Sequence, residues 1–299
     1  MPNRLAADGN DYADGVGLVS PSNGADMMVS ALLGFLFPPR HAGFRMLEPD
    51  RIRLPASLSR VEYHATIDST NDAARRRAAE LPRDVGLLIV AEEQTAGRGR
   101  GANRWWTGAG SLAFSVLFDP SRYGIAVRYA SMVPLAAAIA VVDVVTQHLP
   151  GPAIGIRWPN DVYIGERKLA GVLVEGLPDG RQILGLGCNV NNPLTSAPPE
   201  VSAIVVSLID ELGGRLDRTE FLSELLSALD ASLTRLGENF ADVGRLADSL
   251  CLQRERVLNV QVGEERVTGI CTGIADDGAL KLDTPTGPRT LYSGVMLKI

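Results

Sequence analysis

Residues 94–106 read Gln94-Thr95-Ala96-Gly97-Arg98-Gly99-Arg100-Gly101-Ala102-Asn103-Arg104-Trp105-Trp106, directly after the apolar run Leu87-Leu88-Ile89-Val90-Ala91. A short apolar run before polar, glycine-rich sequence predicts a buried β-strand. Glycine lets the following backbone approach a ligand closely. Arginine adds a permanently charged fork suited to phosphate and carboxylate. The stretch therefore predicts a ligand-wrapping loop hung on a sheet, ending in two buried tryptophans, and a protein that binds an anionic small molecule. Gly-Arg repeats beside aromatics also occur in flexible nucleic-acid-binding tails. Here the repeat is short and leads into Leu112-Ala113-Phe114-Ser115-Val116-Leu117, a second expected strand. The Gly-Lys-Ser/Thr ending of a P-loop is missing.

Composition narrows the classes. With 299 residues, 45% hydrophobic and 21% charged, the chain is expected to be soluble and globular, with one large domain and room for a small one. A net charge of -6 argues against a DNA-coating surface, so the Gly-Arg segment is a local cationic patch on an acidic background. Cys188, Cys251 and Cys271 have neither disulfide-framework nor zinc spacing and read as free thiols of a cytoplasmic protein. His41, His64 and His148 fall outside every motif, which argues against histidine-dependent catalysis. Residues 1–56 read as a disordered or mis-started arm, with Met27, Met28 and Met46 as alternative starts. Residues 27–37 are apolar but too short to span a bilayer, and lack the features of a secretory signal.

Residues 61–67 predict a first strand. Asp68-Ser69-Thr70-Asn71-Asp72 supplies N-cap residues for a helix over 73–80 and serves either as a cap alone or as a polar-ligand site. Residues 129–148 predict a buried helix with Pro134 near its first turn. Strands follow at 154–158, 162–164, 169–175 and 182–190, with turns at Gly165-Glu166-Arg167 and Pro178-Asp179-Gly180. Residues 219–236 predict an amphipathic helix. Beyond 244–250, short strands at 257–262, 266–274, 279–282 and 289–297 predict a small β-barrel.

Three further motifs invite chemistry. In Arg157-Trp158-Pro159-Asn160-Asp161 the proline forces a turn at the strand end, leaving Asn160 and Asp161 above the sheet, as ligand groups or as a plain turn. Lys168-Leu169-Ala170-Gly171 projects an ammonium either into a half-dry pocket or from a sheet edge. In Gly185-Leu186-Gly187-Cys188-Asn189-Val190, period two sends Leu184, Leu186, Cys188 and Val190 to the core. Gly185, Gly187 and Asn189 take the other face, where bare glycines imply something packed flat on the strand.

Together these segments, with Ser69-Thr70-Asn71, Gln94 through Arg100, and Trp105, resemble the biotin protein ligases over residues 60–240. The resemblance implies an α+β fold: a mixed-sheet, class II synthetase-like catalytic domain over 57–245, flanked by helices, and an SH3-like β-barrel over 250–299. It implies that biotin and Mg-ATP give biotinyl-5′-AMP, whose biotin is then passed to a lysine of a biotin carboxyl-carrier domain. By the same resemblance, Lys168, Arg98 and Arg100 are catalytic. Biotin would lie among Ser69, Thr70, Asn71, Gln94, Gly97, Arg98, Gly99, Arg100, Lys168, Gly171, Gly185 and Gly187. ATP would contact Arg100, Trp105, Arg157, Asn160, Asp161, Lys168 and Asn189, with Mg2+ carried by the nucleotide and no protein metal ligands. The loop of Arg98 and Arg100 would order over the ligand and shield the adenylate. No DNA or membrane partner is expected, and a homodimer remains open.

The chain departs from the family in two places. Arg157 stands where many members have lysine, and Gly101-Ala102-Asn103-Arg104 replaces a more basic continuation, so that one phosphate-contacting arginine is either missing or replaced by Arg104. The alternative within the fold is a lipoate ligase or octanoyltransferase; outside it, a DNA-binding biotin sensor, against which the acidic balance speaks.

Overall fold

The computed structural model describes residues 17–19, 45–101 and 103–297. The arm expected over 1–56 therefore lies, up to position 44 and apart from 17–19, outside the described residues. Its last part is not an arm. Leu47 is buried and its amide donates to Glu92 Oε1 at 2.6 Å, while Arg51 and Arg53 pair with Asp217 and Glu220. Two apolar anchors, Leu47 and Ile52, suffice to seat a polar segment whose average composition hides them.

The strands are β1 (Gly17–Val19), β2 (Arg60–Ile67), β3 (Leu87–Gln94), β4 (Leu112–Phe118), β5 (Ile154–Arg157), β6 (Asp161–Ile164), β7 (Arg167–Gly176) and β8 (Gln182–Cys188). They form one sheet in the order β1-β2-β3-β4-β8-β7-β6-β5, where β2 and β3 are parallel and the other pairs antiparallel. Helices α1 (Thr70–Ala78), α2 (Val133–His148), α3 (Pro199–Ser202), α4 (Leu208–Leu212), α5 (Arg218–Glu238) and α6 (Phe240–Ser249) complete this part.

Burial on both faces explains why β3 is continuously apolar. Leu88 and Val90 join the large core under α2 and α5, whereas Leu87 and Ile89 pack beneath Ala73, Ala74 and Ala78 of α1. The segment 127–148 is long and apolar enough to cross a membrane by length and composition, yet eleven α2 residues are buried in this core. α1 covers only one end of its face. Farther along, the strands present Ala113, Ser115, Gly171, Gly185 and Gly187, small residues that let other groups approach the sheet closely.

The C-terminal strands β9 (Val257–Val262), β10 (Glu265–Ile274), β11 (Leu280–Thr284), β12 (Gly287–Leu291) and β13 (Val295–Met296) form an antiparallel sheet ordered β12-β11-β10-β9-β13. The strand expected over 289–297 is thus two strands, broken at Ser293-Gly294 so that one half pairs with β11 and the other with β9. A Cβ on Gly294 would stand 2.4 Å from Val260 Cγ1, so only glycine permits this close crossing. α6, placed where the sequence reading ended the helical part, was not expected; Val243 and Ala247 are its buried apolar residues.

Candidate functional site

The register of the sheet builds the floor of a cavity of about 360 Å3. Ala113, Gly187, Gly171 and Asp161 stand side by side across β4, β8, β7 and β6, and Ser115, Gly185 and Leu173 form the adjoining row. Glycine or alanine at three successive places leaves a bare trough ending at a carboxylate.

The protein's own side chains lie on this trough. Ser69 caps α1, which begins beside the strand ends. Thr70 donates from its amide and hydroxyl to Gln94 Oε1, at 2.9 and 3.2 Å. Ser115 Oγ lies 2.8 Å from Thr70 Oγ1 and donates to Asn71 Oδ1 at 2.6 Å. Asn71 rests directly on Gly185, where a Cβ would come within 2.0 Å of its oxygen. Over Gly187 lies the Trp105 indole, within 2.3 Å of a would-be Cβ. Its Nε1 is buried and finds no hydrogen-bond partner among the described residues. The flat object implied by the glycines is therefore, without ligand, an asparagine amide and an indole ring.

At the trough's far end Lys168 Nζ sits 2.8 Å from Asp161 Oδ2 and about 3.0 Å from where a Gly171 Cβ would be. A β-bulge gives Lys168 this aim. The pairing of β6 with β7 shifts by one residue, so Lys168 and Gly171, three apart, both face the cavity while Leu169 and Ala170 are fully buried. Segment 204–206 pins the Lys168 backbone from the other side. Asn160 donates from its side chain to Val172 O at 2.6 Å and receives Arg100 Nη1 at 3.4 Å. Burial pulls the Arg100 guanidinium below its ordinary value, with the charge of Asp161 acting the other way. Two cations and one carboxylate thus share a half-desolvated corner, where anions are bound more strongly than in water.

The loop itself is a tight hairpin. Arg98 bridges Arg104, Gly99 and Asn103 share a 2.8 Å backbone bond, and Gly101 takes φ +62° at the tip. Trp105 and Trp106, expected to be buried, are half-buried because both line the cavity.

Of the residues singled out in the sequence, Ser69, Thr70, Asn71, Gln94, Arg98, Gly99, Arg100, Trp105, Asn160, Asp161, Lys168, Gly171, Gly185, Gly187 and Asn189 line this one cavity. Two depart from the expected placement. Gly97 does not line it and instead receives the Trp105 amide at 3.0 Å, where a Cβ would strike Trp105 O. Arg157 also lies off the lining: it pairs with Glu166 and stacks 4.1 Å over the Tyr163 ring. The guanidinium of Arg98, read as catalytic, is held by Asp72 and Glu175. Asn189 is almost fully buried, receives Asn192 Nδ2 at 2.9 Å and acts within the wall.

Sequence reasoning missed several groups. Ser115 was visible as the lone hydroxyl in an apolar run. Val201, Ile204 and Val205 make an apolar wall. Val295 and Met296 line the cavity from the C-terminal sheet, which no local pattern reveals. Gln253 joins the two parts, accepting from the Trp158 amide at 2.6 Å, while Trp158 Nε1 donates to Gly278 O at 2.9 Å. Asp161 is the one carboxylate in the lining: its Oδ2 pairs with Lys168, while its Oδ1 is buried without a hydrogen-bond partner among the described residues.

The biotin/lipoate A/B protein ligase family matches residues 63–191, and the biotin protein ligase C-terminal domain matches 258–298. The chain is 31% identical to the biotin--[acetyl-CoA-carboxylase] ligase of Mycobacterium tuberculosis, covering 83% of this chain and 91% of that protein. It is 32% identical to the ligase of the same name from Paracoccus denitrificans, covering 76% and 95%. The Aquifex aeolicus biotin protein ligase, solved in complex with biotin and ATP, superposes with a TM-score of 0.68 at 28% identity, over 79% of this chain and 97% of that one. On fold, cavity and these likenesses, the chain belongs to the biotin protein ligase family.

Proposed function

We propose that this cytoplasmic protein joins biotin to the lysine of a biotin carboxyl-carrier domain, at the expense of Mg-ATP and through biotinyl-5′-AMP. The observation that carries the proposal is the meeting of Lys168, Arg100 and Asp161 at the end of a glycine-floored trough whose other end is a network of hydroxyls and amides. The hydroxyl-and-amide end suits a neutral, hydrogen-bonding ring, and the cationic end suits a carboxylate beside a phosphate. A cavity of about 360 Å3 lies in the range of small-molecule sites.

In the first step a carboxylate oxygen of biotin attacks the α-phosphorus and pyrophosphate leaves. Lys168 and Arg100 stabilise the negative charge on the phosphoryl oxygens, and the trough aligns the reacting atoms. In the second step the carrier lysine amine attacks the acyl carbon, AMP departs with its phosphate oxygen, and the amine loses a proton. Neither step needs a nucleophile from the enzyme. Mg2+ comes with the nucleotide as part of the substrate.

The test is incubation with biotin, Mg-ATP and a recombinant carrier domain, read by streptavidin blot and mass shift. Biotinylation at one carrier lysine is expected. Modification of a lipoyl domain by lipoate or octanoate in its place would assign the chain to the other branch of the superfamily.

A further inference from the structure

Besides the long contact of Arg100 with Asn160, the Gly-Arg loop is fastened to the body of the protein through Arg98. Arg98 Nη2 donates to Asp72 Oδ1 and to Glu175 Oε2, each at 2.8 Å. Arg75 binds the same two carboxylates from the other side, at 3.0 and 2.8 Å. Two arginines and two carboxylates thus close a ring over three elements: the loop, the first turn of α1 and the end of β7. Glu175 also accepts from Asn71 Nδ2 at 2.7 Å, and Asn71 is the amide lying on Gly185. Burial would raise the Glu175 carboxyl, but the Asn71 and Arg75 hydrogen bonds and the Arg98 charge prevail and hold it below its ordinary value.

We infer that Asp72 and Glu175 are positioning residues that latch the Gly-Arg loop over the cavity through Arg98, and so set how long the reactive adenylate is retained. The inference rests on the function proposed above. It gives Arg98 a mechanical task, distinct from the electrostatic task of Arg100 and Lys168. It also joins the floor to the cover, because Glu175 fixes both Asn71 beneath the ligand and Arg98 above it. The Asp72 carboxylate accepts from Arg75 and Arg98, whereas the Asn71 side chain donates to Glu175, so the two carboxylates can be separated experimentally.

The experiment uses the full chain with biotin and Mg-ATP. It follows biotin-dependent pyrophosphate exchange, release of biotinyl-5′-AMP after rapid gel filtration, and biotinylation of albumin as a bystander. Asp72→Asn and Glu175→Gln are expected to keep exchanging pyrophosphate but to release adenylate about two- to fivefold faster, the effect of weakening a part-exposed ion pair, and to label albumin. Only Glu175→Gln should also raise the KM for biotin. Because the ring is partly exposed, 0.5 M KCl should speed release from the wild type and change the variants little, the added salt screening the pairs over about 4 Å. If Glu175→Gln does not fold, Asp72→Asn carries the test alone. Wild-type retention of adenylate by a folded Asp72→Asn would overturn the latch while leaving the ligase reading intact. Failure of the wild type to exchange pyrophosphate would instead overturn the reading beneath it.

Discussion

Gly185→Ala tests the floor of the site most sharply, because its consequence can be worked through from geometry. Ordinary contact begins at 3.4 Å, so an Asn71 oxygen now 2.0 Å from the new methyl must retreat by roughly 1.4 Å. That movement breaks the 2.6 Å bond from Ser115 and the 2.7 Å bond to Glu175. One neutral bond at about 1 kcal/mol and one to a charged group at about 2 kcal/mol sum to about 3 kcal/mol. Near 2–4 °C per kcal/mol, the melting temperature should fall by about 6–12 °C. Calorimetry would give that value, and titration with biotin should show weakened binding. The decisive control is the double mutant. With Asn71→Ala already in place the obstruction is gone, and adding Gly185→Ala should cost under about 1 kcal/mol. Additive losses would refute the claim that the glycine exists to seat this amide.

Three other outcomes follow from the same structure. Lys168→Ala should cut adenylate formation by about 10²–10³-fold, measured as pyrophosphate exchange, and change stability by no more than ~1 kcal/mol because its pair is part-exposed; wild-type exchange would remove its assigned role. Arg218 and Glu92 form a buried ion pair at 2.7 Å, so Glu92→Ala, which strands the arginine, should destabilise by about 3–5 kcal/mol in chemical denaturation, whereas a loss within 1 kcal/mol would show the pair to be dispensable. Arg256 first, then Arg157, hold the Glu166 carboxyl down to about 2; its folded value lies below the ordinary ~4.3, so its contribution is present above that pH and lost as pH falls toward about 2. The gap in melting temperature between wild type and Glu166→Gln should therefore be open at neutral pH and close progressively as pH falls from about 4 to about 2; a constant gap would contradict the pairing.

Local pattern sufficed for most of the framework. The apolar runs became β3 and β4, Ser69 caps α1, and Leu184, Leu186, Cys188 and Val190 lie in the core with Gly185 and Gly187 on the cavity side. The remainder depends on contacts between distant residues, which periodicity does not encode. The aim of Lys168 comes from a bulge that only the pairing of β6 with β7 creates. Arg98 lines the cavity, but the carboxylates that hold its guanidinium, Asp72 and Glu175, come to it from 26 and 77 residues away in the chain. Met296 reaches the cavity because Gln253 and Trp158 join the two sheets. Residues 45–56 were misread because two buried side chains outweigh a polar average.

The central claim is that this trough brings a carboxylate of biotin against the α-phosphorus of ATP between Lys168 and Arg100. Exchange of labelled pyrophosphate into ATP by the purified chain, with no carrier present, measures that step alone. Exchange that appears only when biotin is added is the predicted result; no exchange, or exchange indifferent to biotin, contradicts the account.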